Sequence, residues 1–149
     1  MVVDPVMGDE GRLYSVYTAR MQERMKTLVV RADVITPNYT EACFLLGEPY
    51  RQPVADGRGL ADWLVRLAAL GPAKVVITGI PLAGDRILNL GFDRTTGEVC
   101  EAVSDFIPVR YPGTGDIFAS VLAGLLLKEL KYRGLVQRIL IVVPGQLRD

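Results

Sequence analysis

The sequence contains no histidine. That absence removes His-based metal centres and Ser-His-Asp triads from consideration. Cysteine is scarce as well: Cys43 and Cys100 lack metal-ligand spacing and are too few for a disulfide framework. They read as two buried, reduced thiols of a cytosolic protein. No charge excess exists, because 17 basic residues balance 17 acidic ones. A chain without net charge has no global field to draw nucleic acid or an anionic membrane, and no Lys/Arg run makes a local one. Long hydrophobic runs are missing too. The longest, Ile117 to Leu127, is too short to span a bilayer and reads as a buried helix. The start at Met1-Val2-Val3-Asp4 reads as a strand, without the charged and apolar regions of a signal peptide. A cytoplasmic location with no nucleic-acid or membrane partner is therefore expected.

What is present is an ordinary globular composition, half apolar over 149 residues, enough for one domain with a core. Met1 to Val3 predict a buried strand stopped by Asp4-Pro5, followed by a Gly- and charge-rich loop from Val6 to Leu13. Met21, Met25, Leu28 and Val29 then recur at helical spacing. Asp33 to Thr36 predict a short strand closed by Pro37. Asn38 and Glu41 have capping-box spacing for the next helix, which Gly47 ends. Residues 48–58 read as a loop. Leu60, Trp63, Leu64, Leu67 and Ala68 mark one face of an amphipathic helix running to Gly71-Pro72. Lys74 to Thr78 predict another strand. Segments 85–92 and 98–106 flank Asp93-Arg94-Thr95-Thr96-Gly97 as a β-hairpin. The last helix is expected from Ile117 to about Leu130. Alternating strands and helices argue an α/β fold with a mostly parallel sheet, and the late hairpin argues an antiparallel edge.

Four segments carry chemistry, and all four follow predicted strands. Gly113-Thr114-Gly115-Asp116 leads into the last helix. Glycines permit close backbone approach, and a helix start offers unpaired N–H groups and a positive dipole end, together an anion cradle for a phosphoryl group. Asp116 is placed to accept a proton from an attacking hydroxyl. The segment is neither a Walker A loop nor GxGxxG. Asp4-Pro5-Val6-Met7-Gly8-Asp9 carries two carboxylates suited to Mg²⁺, which wants few carboxylates and keeps several waters. Thr36-Pro37-Asn38-Tyr39-Thr40-Glu41 offers Asn38 to a phosphate and Glu41 to a metal. Thr78, at a strand end, offers a hydroxyl. A parallel sheet would bring these residues to one edge. Phosphoryl transfer needs positioning, metal charge, an anion cradle and a base, and this set supplies each.

The ordered set of the segment from Asp4 to Tyr14, Thr36-Pro37-Asn38 with Glu41, and Gly113-Thr114-Gly115-Asp116 resembles the motifs of vitamin B6 (pyridoxal/pyridoxamine) kinases of the ribokinase-like superfamily. The resemblance covers roughly residues 1–130 and is most specific in Gly8 to Tyr14. It implies a three-layer α/β/α sandwich that moves the γ-phosphate of ATP to a hydroxymethyl group. Asp116 would be the catalytic base. Gly113, Thr114 and Gly115 would form the anion hole. Asp9 and Glu41, with Asp4 nearby, would organise Mg²⁺. Thr36, Asn38 and Thr78 would contact nucleotide phosphates, and Tyr14 would lie in a loop folding over the site. ATP, Mg²⁺, a B6 vitamer as substrate and a homodimer are what the family implies. Both ends depart from the family pattern, since the first residues already form a core strand and residues 131–149 lack an amphipathic helix. The expectation is a partial kinase domain over residues 1–130 with its N-terminal part missing, an atypical tail over 131–149, and an exposed apolar sheet edge of marginal stability. The alternatives are a hydroxymethylpyrimidine (phosphate) kinase, which shares the Thr-Pro-Asn…Glu and Gly-Thr-Gly-Asp pattern, and an inactive fragment that binds nucleotide.

Overall fold

The computed structural model describes residues 1–51, 58–107 and 113–127. The expected tail, the end of the last helix near Leu130, and much of the 48–58 loop lie outside the described residues. Strands β1 (Val2–Val3), β4 (Val34–Ile35), β5 (Lys74–Leu82), β6 (Arg86–Asp93) and β7 (Glu98–Asp105) form one sheet in the order β1-β4-β5-β6-β7. The pairs β1–β4 and β4–β5 are parallel, whereas β5–β6 and β6–β7 are antiparallel. Only β6 therefore runs against the other strands. A separate two-stranded hairpin joins β2 (Gly8–Asp9) to β3 (Arg12–Leu13).

Side chains alternate across the sheet, as the period of two requires. Ile35, Val75 and Ile77 face a core built with Val29, Leu64 and Leu67. Val34, Val76 and Cys100 face the other way, onto Phe118 and Leu122. Helices α1 (Ala19–Val29), α2 (Tyr39–Leu46) and α3 (Ala61–Ala69) thus lie on one face, and α4 (Thr114–Leu126) lies on the other. This is the expected α/β architecture with three layers. Cys43 and Cys100 are not joined in a disulfide, and both are buried, on opposite faces of the sheet. Burial pushes the Cys43 thiol up to about 11, so it stays protonated.

Local sequence explains most of the boundaries. Thr18 caps α1 by accepting from the Met21 amide. Asn38 caps α2 in a full capping box with Glu41, and Gly47 closes that helix at φ 70°. A single-turn 3₁₀ segment at Arg58–Leu60 leads into α3, whose Leu64, Leu67 and Ala68 are fully buried. Each fully buried leucine of this kind contributes about 1.5–3 kcal/mol.

Three expectations need correction. The loop from Val6 to Leu13 is largely the β2–β3 hairpin, because Glu10 (φ 50°) and Gly11 (φ 76°) supply the two left-handed residues of a tight turn. The α1 stripe is only half used: Val29 is buried and Met25 packs on the core, but Met21 and Leu28 are exposed because no described element covers them. The strand at Lys74 does not stop at Thr78; it continues to Leu82 past a register shift between Ile77 and Ile80. The late hairpin is found as expected, with β6 and β7 antiparallel at the sheet edge, and β5 also pairs with β6, which makes a three-stranded antiparallel meander.

Gly11 gives a direct test of the hairpin. A Cβ at this position would sit 2.7 Å from the Tyr50 ring, on a backbone already at positive φ. Gly11→Ala is expected to cost about 1–3 kcal/mol of stability, the range for strained left-handed residues. Urea unfolding measures it, and a midpoint unchanged from wild type would mean that the turn is not built as described.

Candidate active site

The parallel strands β1, β4 and β5 deliver their carboxyl ends to one edge of the sheet. Asp4 follows β1 directly, Thr36 and Asn38 follow β4, and Thr78 sits at the irregularity of β5. A bridge between Asn38 and Thr78, with the Thr78 amide donating to the Pro37 carbonyl at 3.0 Å, ties the last two together. From the opposite face, α4 brings its first turn to the same edge. Gly113 stands at its N-cap with φ 91°, which lets the chain enter the helix without a side chain in the way. Asp116 lies in that first turn and is exposed. A Cβ on Gly115 would lie 3.4 Å from the Asp4 Oδ2, so the start of α4 lies against the Asp4 carboxylate.

These residues enclose one cleft of about 440 Å³. Asp4, Asp9, Tyr14, Thr36, Asn38, Glu41, Thr78, Gly113, Thr114, Gly115 and Asp116 all line it. The structure thus brings together every candidate singled out from the sequence. It adds two that sequence reasoning missed, Val6 and Phe118. Val6 belongs to the Asp4–Asp9 segment, and Phe118 lies two positions beyond Asp116; neither carries a polar group that would have marked it. Tyr14 needs no loop excursion, since it follows β3 immediately and is exposed at the cleft.

The acidic groups are held differently from one another. The Thr36 hydroxyl donates to Asp4 Oδ1 at 2.9 Å. Burial nonetheless pushes the Asp4 carboxyl above the usual carboxylate range, with the Thr36 bond opposing and the nearby Asp116 charge adding to the rise. Glu41 is buried, and both of its oxygens hold backbone: Oε1 accepts from the Met7 amide at 3.0 Å and Oε2 from the Asn38 amide at 2.8 Å. Burial pushes Glu41 up to about 7, against the pull of the Asn38 and Met7 amides. Asp9 accepts from the Glu10 amide at 2.8 Å and is exposed. Four carboxylates line the cleft, and no basic side chain does among the described residues. Among the described residues no three Asp, Glu, Cys or His side chains cluster tightly enough to form a metal cage. No described helix is long and apolar enough to cross a membrane.

An acidic cleft at the carboxyl edge of parallel strands, closed by a glycine-opened helix start, has the chemistry to hold an anionic ligand together with a cation. Comparison with known proteins gives this class a family. The sequence profile of the phosphomethylpyrimidine kinase family matches residues 1–139. The chain is 36% identical over 126 residues to a pyridoxal kinase of Arabidopsis thaliana, an alignment covering 83% of this chain and 39% of that one. It superposes on the crystal structure of pyridoxal kinase from Lactobacillus plantarum with a TM-score of 0.83 at 35% identity, covering 98% of this chain and 51% of that one. Pyridoxal kinase from Leishmania donovani, solved in complex with ADP and pyridoxamine, gives a TM-score of 0.81 at 29% identity over 99% of this chain and 50% of that one. The chain belongs to the phosphomethylpyrimidine kinase family and aligns within it with pyridoxal kinases of the ribokinase-like superfamily. It spans about half the length or less of the relatives it matches.

Proposed function

We propose that this chain is part of an enzyme that transfers the γ-phosphate of ATP to the 5′-hydroxymethyl oxygen of pyridoxal, pyridoxamine or pyridoxine, a salvage route to pyridoxal 5′-phosphate. The observation that carries this reading is the meeting of four separate segments in one acidic cleft at the start of α4. In this reading Asp116 accepts the hydroxymethyl proton while that oxygen attacks the γ-phosphorus; the bond to the β,γ-bridging oxygen breaks and ADP leaves. Gly113, Thr114 and Gly115 present amides to the transferring phosphoryl oxygens. Thr36, Asn38 and Thr78 hold nucleotide phosphates, and Tyr14 covers them from the hairpin side.

A triphosphate beside four carboxylates needs a counter-charge, and the described lining offers no basic side chain. The all-oxygen lining fits Mg²⁺, which takes few carboxylates and keeps most of its waters. Asp9, Glu41 and Asp4 are the residues assigned to it, Glu41 through water because both its oxygens hold amides. When bound, Mg²⁺ neutralises phosphate charge. A cytoplasmic location belongs to the same proposal and is supported by two thiols that are not joined in a disulfide. So does a homodimer, for which the exposed apolar side chains of α1 offer a surface.

The test is incubation of the purified chain with Mg-ATP and a panel of pyridoxal, pyridoxamine, pyridoxine and hydroxymethylpyrimidine, with products detected by mass. A 5′-phosphorylated B6 vitamer is the expected product. Product from hydroxymethylpyrimidine alone would replace this reading with the pyrimidine kinase that the family's description favours. Stabilisation by Mg-ATP without product from any acceptor would identify a nucleotide-binding piece without turnover.

A further inference from the structure

The β2–β3 hairpin carries Asp9 and leads directly into Tyr14, so its position decides how the cleft is walled on that side. A two-residue turn leaves the amides of its central residues outside the strand ladder, and such donors need partners when they are covered. The Glu10 amide finds the Asp9 carboxylate at 2.8 Å. The Gly11 amide donates instead across the structure, to Thr40 Oγ1 at 3.0 Å. Thr40 is 2% exposed, in the first turn of α2, and its side chain is otherwise no part of the cleft lining. The same turn of α2 grips the hairpin at its base: the Asn38 side-chain amide donates to the Gly8 carbonyl at 2.9 Å, and Glu41 accepts from Met7. The base is therefore held by residues already facing the cleft, whereas the tip is held by Thr40.

We infer that Thr40 is a positioning residue: its buried hydroxyl fixes the tip of the β2–β3 hairpin, and through it sets Asp9 and Tyr14 at the nucleotide cleft. The inference rests on the kinase reading for its functional consequence, but not for its structural content. The Thr40 hydroxyl is not the cap of its helix, since Asn38 fills that role. Valine has nearly the same shape and would fill the space, leaving the Gly11 amide without an acceptor.

Two measurements test it on the intact chain. In hydrogen exchange, the Gly11 amide of the wild type is expected to be protected. Thr40→Val should accelerate its exchange about tenfold, the equivalent of about 1.4 kcal/mol, with α3 unchanged. Thr40→Ser, which keeps the hydroxyl, should restore protection. In calorimetric titration with Mg-ATP, Thr40→Val should weaken binding severalfold and Thr40→Ser should recover it, a rescue that a purely packing role would not produce. Rapid exchange at Gly11 in the wild type would overturn the inference whether or not the valine variant folds. Equal Mg-ATP affinity in wild type and a folded Thr40→Val chain would also overturn it. Absence of Mg-ATP binding by the wild type would instead count against the kinase reading, and the exchange data would still decide the role of Thr40.

Discussion

Asp116→Asn is expected to slow phosphoryl transfer by about 10²–10⁴-fold, the range that a positioned general base supplies. The argument is geometric. Asp116 stands in the first turn of α4, exposed at the cleft, directly after the three residues whose amides are assigned to the phosphoryl group. Asparagine preserves the shape and helix entry but cannot take up the proton of the attacking hydroxyl. Removing a negative charge beside a triphosphate leaves nucleotide affinity unchanged or raises it. Turnover and Mg-ATP affinity should therefore separate, with kcat falling and Kd holding. Parallel loss of affinity and rate would contradict the role and make Asp116 a nucleotide contact or a structural cap.

The second large effect is on stability. Glu41 ordinarily titrates near 4.5 and is pushed up to about 7 by burial in the fold. Between those values the folded chain holds a proton that the unfolded chain has released. Stability must then fall as pH rises from about 4.5 to about 7, by up to about 3 kcal/mol from this one group. The sign is opposite to that of an acid stabilised by a cation. Urea unfolding in metal-free buffer across this range measures the slope, and Glu41→Gln should flatten it. An equal slope in both chains would show that Glu41 ionises freely despite its burial. The same variant should raise the Mg²⁺ concentration needed for nucleotide binding; an unchanged requirement would remove Glu41 from the metal site.

Much of this architecture was legible in the residues, for identifiable reasons. The capping box of Asn38 and Glu41, the apolar face of α3 and the turn from Asp93 to Gly97 are local signals, and the structure has all of them where expected. The convergence of Asp4, Thr36, Thr78 and Gly113 was also readable, because parallel strands end on one side. What escaped depends on partners distant in sequence. The strand from Lys74 was expected to end at Thr78, yet β5 passes through an irregularity where the Gly79 amide donates to Asn89 Oδ1 at 2.9 Å. The Val6–Leu13 segment looked like a loop because its hairpin is short and is held by Thr40 and Glu41 from α2, more than by its own strand pairing. The stripe on α1 promised burial that only Met25 and Val29 receive from the described structure. Periodicity reports an apolar face but not what covers it.

Calorimetric titration of the purified chain with ATP, in Mg²⁺ and then with a chelator, tests the central claim most directly. The account predicts saturable binding at one site in Mg²⁺, its loss on chelation because four carboxylates then face the triphosphate without a counter-charge, and its weakening by a side chain placed at Gly113. No binding in Mg²⁺, or binding indifferent to both chelation and Gly113 substitution, would contradict a magnesium-nucleotide site in this cleft.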